Sequence, residues 1–314
     1  MDNVTPLFGN HGAIQDQIGS VGYGPADFEI SEAPVFYRDN EGVEHLANRK
    51  MIYRKDTGEA LGLHGLGYET VDHKMMIDAS RNVLERSGLD LRDMKESIAI
   101  GAEGSMCYIQ HTLPEHRALT PDGDTVSLQL LHLNSHNGVW SYQGSAGGLQ
   151  SACMNTQIFM KNTLTMYKAR HTEALDIDKG ARILTGTIGM LNENNDIWHE
   201  WANITVSREE VFRTIAEASG SKFTLGKLKE GLSIEECLEL PTCYNNSALT
   251  YMCNEWGQYK AKMGQNYWAL FNTLTHWSTH FFNGKRTNAT DSSVQYIKNS
   301  ETVRDVIQQF PKAA

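Results

Sequence analysis

Near the middle of this chain the spacing of apolar residues changes from two to about 3.6, and no single motif constrains the fold as much. Runs rich in β-branched and aromatic residues occupy 35–38, 49–55, 98–111, 125–133 and 139–142. Turn signals separate them, among them Asp39-Asn40-Glu41-Gly42, Asp56-Thr57-Gly58 and His136-Asn137-Gly138. Residues 59–68 continue as a strand broken by Gly62, Gly65 and Gly67. Glycines so placed imply a bulge or a close backbone approach, and their spacing is not that of a dinucleotide-binding loop. One helix interrupts the strands. Asp72 stands where an N-cap belongs, Met76, Ala79, Val83 and Leu84 share a face, and Gly88 follows as a stop.

After Gly148 the alternation ends. Residues 152–170 read as helical, and Leu184, Ile188, Leu191, Trp198 and Trp201 recur at helical spacing. Ser207 with Glu210, and Ser233 with Glu236, have the form of capping boxes. Helices over 246–263 and 265–282 bring the set to about five. The expected fold is therefore α+β: a loose arm over 1–30, a β-rich domain with one packed helix over 31–147, and a helical region over 148–314 packed on it.

Of the 314 residues, 40% are hydrophobic and 21% charged, which supplies a real core and excludes wholesale disorder. No apolar run approaches the roughly 20 residues of a membrane span. Residues 1–12 lack the basic and apolar segments of a secretory signal. Cys107, Cys153, Cys237, Cys243 and Cys253, an odd number without paired spacing, read as reduced thiols and hence as a cytoplasmic location. The net charge of −10 resides in residues 1–160, with 11 Lys+Arg against 21 Asp+Glu; residues 161–314 hold 17 of each. A polyanion would have to meet local basic clusters on the neutral half. These are Lys222, Lys227 and Lys229; Lys260 and Lys262; and Lys285 and Arg286. Ordinary solvated charge is the commoner reading of each.

The helix over 265–282 is the most informative segment. Tyr267, Leu270, Phe271, Leu274, Trp277 and Phe281 mark one face as core, while Asn272, His276 and His280 repeat every fourth residue on another. Two histidines at i and i+4 can share a metal ion. Yet Trp277 stands where the glutamate of HExxH would be, and no third ligand has fitting spacing. A hydrogen-bonded polar stripe is expected there, and no metal. His132 and His136 span a strand and a turn, too far apart for one ion unless the turn folds back. A Cys153–His171 nucleophile pair has no local signature, and no P-loop occurs. Tyr68, Tyr108, Trp140 and Tyr142 near the turns could stack on unpaired bases, but strand aromatics are more often core.

Four segments, in order, resemble one family. Tyr53-Arg54-Lys55-Asp56-Thr57-Gly58 with Leu61-Gly62 and Gly65-Leu66-Gly67-Tyr68 is similar to its R-x-D-T-G, L-G and G-x-x-Y strand pair. Asn134-Ser135-His136-Asn137-Gly138 is similar to its N-S-H-D-G turn. Cys153-Met154-Asn155-Thr156 and Arg170-His171-Thr172 resemble C-x-N-T and R-H-T, and residues 268–280 resemble W-x-A-x-N-x-x-T-x-x-x-D-H. The family is the phage/plasmid-like domain of unknown function 932, and the resemblance covers 49–280. It implies a mobile element in a bacterial host cell and brings no activity with it. Asn137 and Thr279 stand where the family has Asp, so carboxylate chemistry at those positions would be lost here, and the reading leans away from an enzyme.

Two functional expectations follow. The first is an accessory protein of DNA metabolism that binds or anneals single-stranded DNA in the manner of Rad52/RecT proteins, as a homo-oligomer that gathers its basic clusters into one groove. Its warrant is analogy of fold. The second is an enzyme or ligand-binding protein whose site gathers Asn134, His136, Asn155, Arg170, His171, Asn272 and His280. A third reading is a host-interaction protein of a mobile element. The sequence names no cofactor.

Overall fold

The computed structural model describes residues 22–150, 156–157, 165–169, 177–281 and 289–312. A first antiparallel sheet holds β1 (Ile30–Arg38), β2 (Glu44–Arg54) and β3 (Ala60–His64), in that order. Helix α1 (His73–Ser87) leads to a second antiparallel sheet of β4 (Lys95–Gly101), β5 (Met106–Leu119), β6 (Thr125–Ser135) and β7 (Tyr142–Gln150). The short strands β8 (Thr156–Gln157) and β9 (Thr165–Ala169) both pair with β7. Helices α2 (Ile177–Asn203), α3 (Arg208–Ala218), α4 (Lys222–Lys229), α5 (Ile234–Glu239), α6 (Pro241–Tyr244), α7 (Ser247–Met263), α8 (Tyr267–His280) and α9 (Ala289–Ile307) follow. The chain is α+β, with its sheets built from the N-terminal half and its helices mostly from the C-terminal half.

Local chemistry explains the element ends. Asp72 caps α1 by accepting from the Lys74 amide, and Gly88 closes it at φ 70°. Ser233 and Glu236 form a complete capping box on α5. Ser207 caps α3, but the carboxylate of Glu210 accepts instead from the Tyr267 hydroxyl.

Strand alternation then decides the core. Cys107, Ile109 and Leu113 of β5 and Val126, Leu128 and Leu130 of β6 lie in one buried cluster with Met76, Ile77, Val83 and Leu84 of α1. Trp198 and Trp201 of α2 and Trp268 and Phe271 of α8 belong to the same cluster. The other face of the large sheet carries a small cluster of Met106, Tyr108, Leu133 and Trp140. Helix α8 is buried on almost every side, so its polar residues bond within the helix: Asn272 to the Trp268 carbonyl, Thr273 to that of Ala269 and Thr275 to that of Phe271.

One expectation needs correction. The stretch 152–170 was expected to be helical, yet Thr156–Gln157 and Thr165–Ala169 are strands. Residues 165–169 pair with β7 from Tyr142↔Ala169 to Ser145↔Thr165. An open sheet edge offers backbone partners that a weak helical period cannot match. The sheet thus runs past residue 147, and among the described residues the first helix after it is α2.

Candidate functional site

The two sheets meet at a polar joint built from the first two segments of the family resemblance. Gly62 of β3 lies against the 135–138 turn so closely that an added Cβ would stand 1.8 Å from the His136 carbonyl oxygen. This is the close approach the glycines implied, and the β2–β3 register also shifts between Ile52 and Tyr53. His64, next on the same face, donates from Nε2 to the His136 carbonyl at 2.5 Å. Its ring stacks on Tyr68 at 3.8 Å, and the Tyr68 hydroxyl donates to the Ser135 carbonyl. Burial pushes the Tyr68 phenol up to about 12, so it stays a neutral donor.

The turn is held from below as well. The His136 amide donates to the Ser105 carbonyl, and Asn137 Nδ2 to the Ser105 hydroxyl. Asn137 Oδ1 accepts from the Val139 amide, and Gly138 takes the left-handed φ of 78°. An aspartate could accept from Val139 equally well, and from the Ser105 hydroxyl where Asn137 donates to it, so this turn suits either residue. Asn134 spends its amide on the Val71 carbonyl at 2.9 Å and on His73 Nδ1 at 3.1 Å. His73 Nε2 must then carry the proton it gives to the Gly104 carbonyl, which fixes a neutral tautomer. The His73 and His136 rings lie 4.2 Å apart. Arg54 completes the joint: it forks onto Asp56, reaches the Glu103 carbonyl and lies 4.0 Å over the Phe28 ring.

Chemically these groups hold a turn. Among the described residues no group of three or more His, Cys, Asp or Glu could hold a metal ion. Cys107 is fully buried and its thiol is pushed far up by desolvation, so it is no nucleophile. A separate network, with buried histidines and a half-buried ion pair, lies between α1 and the sheet. There Glu96 accepts from Arg81 at 2.6 and 3.0 Å and from His111 at 3.0 Å, and His132 stands edge-on to His111. Desolvation alone would raise the Glu96 carboxyl, but the His111 and Arg81 hydrogen bonds outweigh it and hold the group at about 2. His132 and His136 thus serve different clusters.

Asn134 and His136 are brought together, whereas Asn272 lies elsewhere. The Trp268 indole, one turn before Asn272, donates to Asp122 in the β5–β6 turn. Asn134 lies at the other end of β6, about 30 Å away at the usual strand rise. His280 ends α8 beside His276, with ring centroids 4.5 Å apart. Burial and His280 push His276 down to about 3, and Tyr251 and Glu255 of α7 flank its Nδ1. Asn155, Arg170 and His171 lie outside the described residues, as do Lys285 and Arg286.

The remaining basic candidates are set among carboxylates. Lys227 pairs with Glu230, and Lys229 borders a shallow depression with Glu209 and Arg213, which pair with each other. Lys222 opens α4 in a stretch, 208–244, that holds five Lys+Arg and seven Glu. Lys260 and Lys262 occupy the last turn of α7, where Lys262 lies 3.4 Å from Asp122.

The strands expected over 35–38 and 49–55 correspond to β1 and β2, but the exposure of this ribbon is not foreseen by the sequence. Phe36 is 53% exposed, Tyr37 56% and Leu46 65%. Phe36 faces Leu46 across the strands, and Tyr37 faces and stacks on His45. Residues 30–54 carry four Lys+Arg and four Asp+Glu, a neutral ribbon on an acidic half. The available signal was β2 itself, whose residues 44–50 hold Leu46 as their one large apolar side chain, too few for a buried strand.

A model of the family described as Domain of unknown function (DUF932) matches residues 60–301, beginning at the first residue of β3. No curated protein and no solved structure matches the chain.

Proposed function

We propose, from the premise that this chain belongs to the family described as Domain of unknown function (DUF932), that it is an accessory protein of DNA metabolism that binds and anneals single-stranded DNA. Its setting in this reading is a phage or plasmid. The observation that supports it is the ring stack of the exposed Tyr37 on the half-buried His45, itself held by Asp39 at 2.7 Å, with centroids 5.3 Å apart and planes 23° apart. An unpaired base can extend such a stack, whereas a paired base cannot reach it. Arg49, exposed in the part of β2 that bulges, has no ion-pair partner among the described residues and is available to a phosphate. The neutral ribbon spares the strand the repulsion of the acidic half around it.

Anisotropy titration with a labelled oligothymidine tests this. The expected result is binding at ~50 mM salt that weakens as salt rises, a duplex of equal length binding less well, and Tyr37→Ala weakening the single strand. Absence of binding at low salt, or binding indifferent to salt, contradicts it.

A further inference from the structure

The two faces of the ribbon differ, and the inner one fits a second copy of this chain. Residue parity in β1 sorts them: Tyr37 and His45 share the outer face, while Glu32, Ile52, Gly62, Pro34, Lys50, His64, Phe36, Leu46, Arg38 and Glu44 share the inner. The near end of the inner face is occupied by the 135–138 turn at Gly62 and His64. Beyond His64, where β3 ends, the Phe36–Leu46 pair overhangs with both side chains more than half exposed, and Val43 beside it is 52% exposed.

We infer that two copies pack the inner faces of their ribbons together around Phe36 and Leu46, pointing in opposite directions. Three observations select this occupant. The apolar row is flanked by Arg38 with Glu44 on one side and by Lys50 with Glu32 on the other, so the face carries both signs and does not repel itself. A two-fold axis across the strands through the Phe36–Leu46 row sets Leu46 over Leu46 and brings Glu44 of one copy towards the Lys50–Glu32 pair of the other, whose lysine is 13% exposed. The parallel arrangement is blocked, because each copy's own 135–138 turn already fills the near end of that face. Edge-to-edge pairing is disfavoured by Pro34 within β1, and by β2 using three residues where β1 uses one between the Pro34–Lys50 and Phe36–Leu46 pairs. In a chain of charge −10, a ribbon of zero net charge adds no repulsion between two copies. The contact is smaller than a standard interface, so a reversible dimer with a Kd of roughly 1–100 μM is expected.

Sedimentation velocity of the full chain without nucleic acid, over about 1–200 μM, tests the inference independently of DNA binding. The wild type should dimerise, and Leu46→Glu and Leu46→Lys should each weaken the dimer about thirtyfold or more. An equimolar mixture of the two variants should dimerise again, because opposite charges then meet at the axis. Tyr37→Ala, on the outer face, should dimerise like the wild type. The inference is overturned by a wild type that stays monomeric across the range or by either Leu46 variant associating as the wild type does. A mixture no better than its components, or a Tyr37→Ala chain that has lost the dimer, overturns it as well.

Discussion

The large sheet with its helices and the ribbon of β1 and β2 place their residues in opposite ways. In the core, polar side chains are buried or half-buried and paired: Arg81 and Glu96 with the buried His111 between α1 and the sheet, Asn134 with His73 beneath the turn. In the ribbon, apolar side chains are exposed, and Phe36, Tyr37 and Leu46 each leave more than half their surface in water. A buried histidine cluster that resembles a site in sequence is here a fastening, and a strand that resembles core is here a surface. Polar groups that bond across elements fix a structure, whereas exposed apolar groups await a partner.

That contrast can be broken from the core outward. Glu96→Ala should cost about 3–5 kcal/mol in urea unfolding, since it strands Arg81 and His111 without their carboxylate. The same group sets an acid limit. Its folded value of about 2 lies below the usual 4.5, so its stabilisation is complete above about 4.5 and is lost as pH falls through about 2. Unfolding midpoints between pH 5 and 2 should therefore fall more steeply in the wild type than in Glu96→Gln, by about 3 kcal/mol over the window.

At the joint, Gly62→Ala should cost about 2–3 kcal/mol, because its Cβ and the His136 carbonyl cannot share the space and the turn must move. Hydrogen exchange should then speed up in residues 44–64 while β5 and β6 stay protected. Tyr68→Phe removes one hydrogen bond to Ser135 and should cost about 1 kcal/mol by thermal melting. On the ribbon, Tyr37→Ala should change stability by less than about 0.5 kcal/mol. The same variant should weaken oligonucleotide binding by about 1–3 kcal/mol, which separates a surface role from a structural one.

Much of the fold is legible in the sequence because the signals are local. Asp72 and Gly88 bound α1 as their chemistry requires, and Asn246 and Asn266 cap the two helices expected over 246–263 and 265–282. The short strands β8 and β9 are illegible because the β7 edge makes them, not their own period. The joint is half legible. The glycine spacing implied a close backbone approach, but that Gly62 meets His136 is a contact across 74 positions of chain that no window of sequence contains. Exposure of the ribbon is hidden for a related reason: Phe36 and Tyr37 have strand propensity wherever they lie, and only the tertiary arrangement leaves them uncovered.

The central claim is that the ribbon, not the basic helices or the histidine cluster, is the contact surface. Hydrogen exchange of the full chain with and without oligothymidine measures this residue by residue. The account predicts slowed exchange in residues 30–54, with α4 and the last turn of α7 unchanged. Slowing confined to α4 and α7, or no slowing at all under conditions that saturate binding, would contradict it.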